Sequence, residues 1–310
     1  MKHTVLLGDP RHFRIKGGRN PYTRGRWGLK KRVDSARARA QWERFKETLE
    51  RLGARTVVMN GDPDYPGMVF PANAGFLQAK YKPAPLAEKR FVLSKLSGHR
   101  EGERHLYVRF LGSLGLRLEE APFLFEGEAD FFPAGEFFIF TFGKIVPTGF
   151  RPAAGLPPWR YQFSHRSDAR NAEFLRKLVA PVNVLPVKLV DTRYYHGDTA
   201  FFAFGPKREY LLAYFGACDR ESADRLKKHF GDKLFEISKA DAEAFAANSF
   251  QLETPEGPHV VMPAGVSDAV RGRIRAAGLP CTEVDVSEFF SKGGGAVKCM
   301  LCDLGLTTDK

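Results

Sequence analysis

The chain has 310 residues, 43% hydrophobic and 27% charged, with 27 phenylalanines and a net charge of +12. A chain of this length can bury roughly 75% of its unfolded surface, so it needs no disulfide or metal staple, and its composition excludes a disordered tail protein. The four cysteines, Cys218, Cys281, Cys299 and Cys302, are too sparse for a disulfide scaffold, and a reducing cytoplasm is the expected location.

The apolar run in residues 1–10 is too short for a secretory leader. Nowhere do about 18 apolar residues follow one another, so no membrane span is expected. Residues 11–39 hold eleven Arg or Lys against the single acid Asp34. Such a block can meet phosphates or an acidic partner, or it can be a solvated basic face; only Tyr22 and Trp27 interleave with it, without a nucleic-acid motif.

Five segments have the apolar spacing of amphipathic helices. The first follows Asp34 and Ser35, lines up Trp42, Phe45, Leu49 and Leu52, and stops at Gly53. The others are expected at about 97–115, 169–181, 219–231 and 267–278. Each leads into a β-branched or aromatic run, at 56–59, 116–125, 182–190, 233–237 and 282–286. Further apolar runs lie at 137–142, 200–204, 210–215 and 259–262. About five strand-helix-strand units without an obvious linker predict an α/β fold, with residues 1–310 as one closed domain. Patches 60–67, 143–159 and 253–258 read as surface loops, with Pro147 through Trp159 a candidate lid.

The residues that carry chemistry are scattered along these units. Near the C-terminus, Gly293-Gly294-Gly295-Ala296-Val297-Lys298-Cys299 delivers a cysteine after a run that allows close backbone approach, with Lys298 expected to favour its thiolate. Cys299 and Cys302 form a C-x-x-C pair, but an extended segment puts that spacing on opposite faces, and no second ligand pair accompanies it. Tyr195-His196-Gly197-Asp198 places a histidine and a carboxylate two residues apart, on one face if the piece is extended. Glu126, Glu128 and Asp130 would likewise share a face, a repulsive arrangement suited to a cation. Asn73 lies near the end of a short apolar strand expected at Val69–Gly75, as turn chemistry or facing a pocket.

In order along the chain these pieces are Asn20-Pro21, the V-F-x-A-N-A-G stretch 69–75, F-E-G-x-x-D at 125–130, Arg166-Ser167, Y-H-x-D-T at 195–199 and G-G-G-x-x-K-C at 293–299. The ordered set resembles the guanidino-group modifying (pentein) superfamily: arginine deiminases, dimethylarginine dimethylaminohydrolases, amidinotransferases and arginine dihydrolases. The resemblance implies a five-bladed α/β propeller. It implies that Cys299 attacks a guanidinium carbon and forms a covalent amidino-thioether, that His196 exchanges protons, and that Glu126, Asp130 and Asp198 hold the planar cation. Arg166 and Arg100 are the candidates for gripping an α-carboxylate, and Asn20 for contacting substrate.

Asn73 stands where dihydrolase-like members carry Asn and single-step deiminases carry Asp, which favours arginine or a close derivative over methylated arginine. The chain departs from the pattern at Ala129, at Gly197 and at Arg19-Asn20-Pro21-Tyr22. The expected activity is a cysteine hydrolase acting on the guanidino group of a small molecule, with no cofactor, no metal and no membrane. An amidinotransferase and a noncatalytic nucleic-acid- or ribosome-binding propeller are the alternatives, and a homodimer stays open.

Overall fold

The computed structural model describes residues 1–25, 28–151 and 160–308, with Arg160 by its backbone alone. Trp27 and the centre of the candidate lid, 152–159, lie outside the described residues. The flanks of that loop, Gly149–Arg151 and Arg160–Gln162, pair as a two-stranded ribbon. The ribbon packs on the basic loop, where the Arg24 guanidinium lies 3.7 Å from the Tyr161 ring centre.

The fold is mixed α/β and contains five three-stranded sheets built to one plan. In each, an inner strand pairs antiparallel with a central strand, which pairs parallel with an outer strand. The inner, central and outer strands are Gly75–Leu77, Arg90–Leu93 and Arg117–Glu120 in one sheet. Phe131–Ala134, Phe137–Gly143 and Asn183–Leu189 make the next. Phe201–Phe204, Tyr210–Ala213 and Leu234–Glu236 follow, then Phe250–Thr254, Gly257–Pro263 and Cys281–Val284. In the remaining sheet the inner strand Leu301–Thr307 comes from the end of the chain and joins Lys2–Gly8 and Arg55–Met59.

Every parallel step needs a crossover, and the five amphipathic segments supply it as helices 35–51, 103–113, 171–179, 220–230 and 268–276. Their starts follow from capping. Asp34 accepts from Arg37 N, Asp219 from Ser222 N and Ser267 from Val270 N. The second helix begins later than its apolar spacing suggested, because residues 98–100 form a separate 3-10 turn before Gly102. Two short helices, 239–243 and 287–293, lie outside the five. Among the described residues no helix is long and apolar enough to cross a membrane.

The plan has one consequence for chemistry. Each inner strand is preceded by a tight turn: 71–74 before 75–77, 127–129 before 131–134, 197–199 before 201–204, 244–248 before 250–254 and 297–300 before 301–307. The turns touch, with Ala72 N donating to Cys299 O at 3.4 Å and Lys298 N to Asn248 O at 3.0 Å. Residues far apart in sequence are thereby gathered at one end of the inner strands.

Candidate active site

Cys299, His196, Glu126 and Asn73 sit on or beside four of these five turns, and all four line one cavity of ≈ 90 Å³. Arg100, Arg166 and Asn20 line it too. The Cys299 side chain is buried; its thiol donates to Asp198 Oδ2 at 3.3 Å and receives the Asn248 Nδ2 amide at 3.2 Å. A side chain at Gly295 would fall 2.6 Å from Cys299 Cβ, so the glycine run is where the loop folds back on its own cysteine.

His196 is joined through Nε2 to Glu126 Oε2 at 2.8 Å, and its Nδ1 is buried without a partner among the described residues. Burial opposes charge on the imidazole, but Asp130, Glu126 and Asp198 outweigh it and raise the His196 pKa. Burial also works against an ionised Glu126, yet His196, Arg166 and Arg100 hold that carboxyl well below its usual range. The pair therefore favours imidazolium and carboxylate.

The three acids at 126, 128 and 130 do not share a face. Residues 127–129 form a 3-10 turn, with Gly127 at φ +65° and its α-carbon packed on the Gly75 and Ala72 carbonyls. The turn sends Glu126 into the cavity, while Glu128 goes the other way to Lys80 at 2.7 Å and to Lys298. Asp130 does not line the cavity. Its Oδ1 accepts Thr141 Oγ1 at 2.5 Å and Gly197 N at 3.0 Å, and its Oδ2 accepts Ser167 Oγ at 2.7 Å. Ser167 in turn accepts the Glu126 amide at 3.1 Å, so Asp130 ties the turn of Glu126 to the turn of His196.

His196 caps a 3-10 turn, 197–199, that contains Asp198, instead of an extended piece, and of the two only His196 lines the cavity. One side chain goes to Glu126 and the other to the sulfur. Burial, followed by the Asp130 charge among the effects that raise it, lifts the Asp198 carboxyl to about 6 even though His196 and Lys298 pull the other way; its Oδ1 has no partner.

The Lys298 ammonium is paired with Glu128, and its charge favours the Cys299 thiolate without prevailing. Burial first and the Asp198 charge second push the Cys299 thiol well above its usual pKa, against the Asn248 amide and Lys298. The resting sulfur is a thiol. Cys302 faces away, packed with Leu6 and Leu304 in a separate apolar cluster.

The Asn73 carbonyl accepts Arg100 Nη1 at 2.6 Å, leaving its amide nitrogen buried and unpartnered. Arg100 is spent on this and on a two-pronged pair with Glu103 at 2.9 and 2.7 Å, so it holds Asn73 instead of offering a free fork. Asn20 caps its own turn through Thr23 N and donates to Gly293 O at 2.8 Å, which fixes the glycine loop. Arg166 is buried, donates to Arg19 O at 2.8 Å and lies 5.4 Å from the Tyr195 ring centre.

Asn248 carries no motif and was not singled out by the sequence. Its Oδ1 accepts both Ala296 N at 2.8 Å and Cys299 N at 3.2 Å, while Nδ2 reaches Asp198 O at 3.1 Å as well as the sulfur. The signal lay in the internal repeat: Ala247-Asn248-Ser249-Phe250 echoes Ala72-Asn73-Ala74-Gly75-Phe76 at the mouth of another inner strand.

A family model for eukaryotic N,N dimethylarginine dimethylhydrolase matches residues 161–306. The N(G),N(G)-dimethylarginine dimethylaminohydrolase of Mycobacterium tuberculosis is 31% identical over 274 residues, 88% of this chain and 77% of that protein. The chain belongs to the guanidino-group modifying (pentein) superfamily. The bifunctional arginine dihydrolase/ornithine cyclodeaminase AgrE of Nostoc is 27% identical over 299 residues, 95% of this chain but only 37% of AgrE. A crystal structure of a cysteine-to-alanine variant of AgrE with L-arginine superposes with a TM-score of 0.78 at 26% identity, covering 100% of this pentein and 41% of that chain.

Proposed function

We propose that this pentein is a single-domain, five-bladed α/β propeller that hydrolyses the guanidino group of arginine or an arginine derivative through a covalent intermediate on Cys299. The observation that carries the reading is the meeting of Cys299, His196 and Glu126 on one cavity, with Asp198 on the sulfur. The relatives named for arginine and dimethylarginine chemistry support the substrate class.

The chemistry follows from the charges. A guanidinium entering the cavity presents planar N–H donors to Glu126. Asp198, which lies across the sulfur and does not line the cavity, would meet it through Oδ1, unpartnered among the described residues. Its positive charge offsets the anions that keep Cys299 protonated, so binding and activation are coupled. The thiol proton passes to Asp198, the sulfur bonds to the guanidinium carbon, and imidazolium His196 protonates a terminal nitrogen as the carbon–nitrogen bond breaks. Ammonia leaves, and neutral His196 takes a proton from the water that attacks the thioether carbon. The carbon–sulfur bond then breaks, the sulfur recovers its proton from Asp198, and the remaining hydroxyl proton leaves with ammonia as ammonium. Asp130 acts by positioning the Gly197 amide, and Asn73 faces the bound group with its free amide nitrogen.

The test is incubation with a panel of guanidino compounds, an acid quench and mass analysis of the Cys299 peptide. An amidino-sized adduct on Cys299, absent in Cys299→Ala, is expected. Ornithine among the products supports two-step hydrolysis, and citrulline alone rejects it. Guanidinoacetate from arginine plus glycine would make the protein an amidinotransferase, and the absence of any adduct or product overturns the reading.

A further inference from the structure

We infer that the substrate of this cavity is a guanidino acid with an anionic tail, its α-amine acylated or missing. The inference rests on the guanidino-hydrolase reading above and concerns the other end of the molecule. At the inner end the cavity offers Glu126 to a cation. Its walls also carry Arg14, Lys16, Arg19, His99 and Arg166, of which Arg14 and Lys16 are exposed and Arg166 is buried. Among the described residues that line it, Glu126 is the only carboxylate, and it is already bonded to His196.

Of these cations only Lys16 has an acid within ion-pair distance among the described residues, the exposed Asp64. Arg100 is neutralised by Glu103, but neither Arg19 nor Arg166 has a carboxylate partner among the described residues. Arg19 Nη1 donates to the Ser97 carbonyl at 2.5 Å and hydroxyl at 3.1 Å, and Arg166 to a backbone carbonyl. Arg14 caps the Pro63 carbonyl, and Lys16 reaches the exposed Asp64 carboxylate only at 3.9 Å. Arg166 is 6% exposed, and the one acid that acts on it in the cavity, Glu126, is shared with His196 and Arg100, so its buried charge is under-compensated. Burial and the neighbouring Arg166 lower the Arg19 pKa. Burial, then Arg100, Arg19 and Arg166, press His99 down to about 4, so it is neutral near pH 7. The missing group is an anion of the ligand.

Free arginine supplies that anion together with an ammonium one bond away from the carbon that bears it. The ammonium would enter a ring of like charge with no acid to receive it. Acylating or removing the amine keeps the carboxylate and deletes the repulsion. Arg14, Lys16 and Arg19 belong to the basic block of residues 11–39, whose charge thus acquires a use at the cavity.

The experiment compares kcat/KM for arginine, N-α-acetylarginine, 4-guanidinobutanoate and N-α-acetylargininamide. The two amine-free acids are expected to exceed arginine by about tenfold or more, and the amide, with neither charge, to fall below both. The exposed pair Arg14→Glu with Lys16→Glu should shift the ratio back toward arginine by about tenfold, an effect that weakens as salt rises. These two side chains are in water, so folding is preserved, and an unchanged melting temperature verifies it. Arginine turned over as well as or better than both acids overturns the inference while leaving the hydrolase intact, as does a ratio that ignores the charge reversal. If none of the four compounds is hydrolysed, the guanidino-hydrolase reading itself falls and this inference with it.

Discussion

Two buried clusters of charge meet at the Cys299 loop, and they are built on opposite plans. Behind the loop, Glu128 takes Lys80, Lys298 and the Asp303 amide; Asp303 takes His3 at 2.8 Å, Lys80 at 3.4 Å and the Gly305 amide. Each acid there is met by more than one donor. In front of it, His196 Nδ1 and the Asn73 amide nitrogen are buried with nothing to bond among the described residues. Asp198, which touches the sulfur from the side of Lys298 and Glu128, leaves its Oδ1 unpaired there too. Polar groups left unpaired at that depth cost stability. The rear cluster is a fastening between strands, whereas the front one is an arrangement waiting for a ligand. Sequence neighbours fall on opposite sides: Glu128 and Lys298 behind, Glu126 and Cys299 in front.

The contrast can be broken by exchanging what the two sides lose. Cys299→Ser should lower turnover of the best guanidino substrate on the order of 10³-fold or more, because no other nucleophile replaces the sulfur, and leave thermal stability close to that of the parent. Glu128→Ala should do the reverse. It takes from Lys298 its acid partner and leaves Lys80 with Asp303 alone, and should cost roughly 3–5 kcal/mol, a fall in melting temperature on the order of 10 °C. Calorimetry and steady-state rates on the same two preparations check both. A Cys299→Ser protein that melts as early as Glu128→Ala would erase the distinction.

The sequence carried the repeated helices because each buries one stripe, and a 3.6-residue period survives without knowledge of partners. Phe45, Leu49, Leu226 and Ile274 are all fully buried, as their spacing required. Cys299, His196 and Glu126 were legible as an ordered set of motifs. What was not legible was direction. Extended geometry for residues 126–130 predicted three acids on one face, and a single left-handed residue, Gly127, sends them apart. Lys298 adjoins the cysteine in sequence yet serves the rear cluster, since side chains two turns of backbone away decide its partner. Asn248 carries no motif of its own, and only the repeat that aligns it with Asn73 could have pointed to it; its work through amide geometry needed the fold to be seen.

Asp198→Asn should separate reactivity from turnover. The Asp198 carboxylate raises the Cys299 pKa by its charge and by accepting the thiol proton. Removing that charge should make the sulfur react up to about tenfold faster with iodoacetamide near pH 8. On the proposed mechanism, in which Asp198 accepts the thiol proton and meets the substrate, turnover of the guanidino substrate should meanwhile fall on the order of 10²-fold. Slower alkylation in Asp198→Asn would refute the electrostatic account of the resting thiol. Asn248→Ala should move alkylation the other way by a smaller factor, because its amide is what favours the thiolate.

The smallest expected effect concerns pH, and its sign separates the two clusters again. The folded pKa of His196 is raised, so the stability its pair contributes is fully present below about pH 6.5, its unfolded value, and is lost as pH rises through the folded one. Glu126 is depressed, so its share is present above about pH 4.3 and is lost only as pH falls toward its folded value. The pair therefore contributes most between about pH 4.3 and 6.5, and the stability deficit of Glu126→Gln should be largest there and shrink toward pH 9, by on the order of 1 kcal/mol. Behind the loop, Asp303 and its neighbour Glu128 hold Lys80 protonated, and Lys80 with His3 holds Asp303 ionised, across that whole range. A Glu128→Gln deficit should accordingly stay flat from pH 5 to 9. Denaturant melts of the two glutamine variants at several pH values decide this, and parallel curves would mean that the His196–Glu126 pair is as inert a fastening as the one behind it.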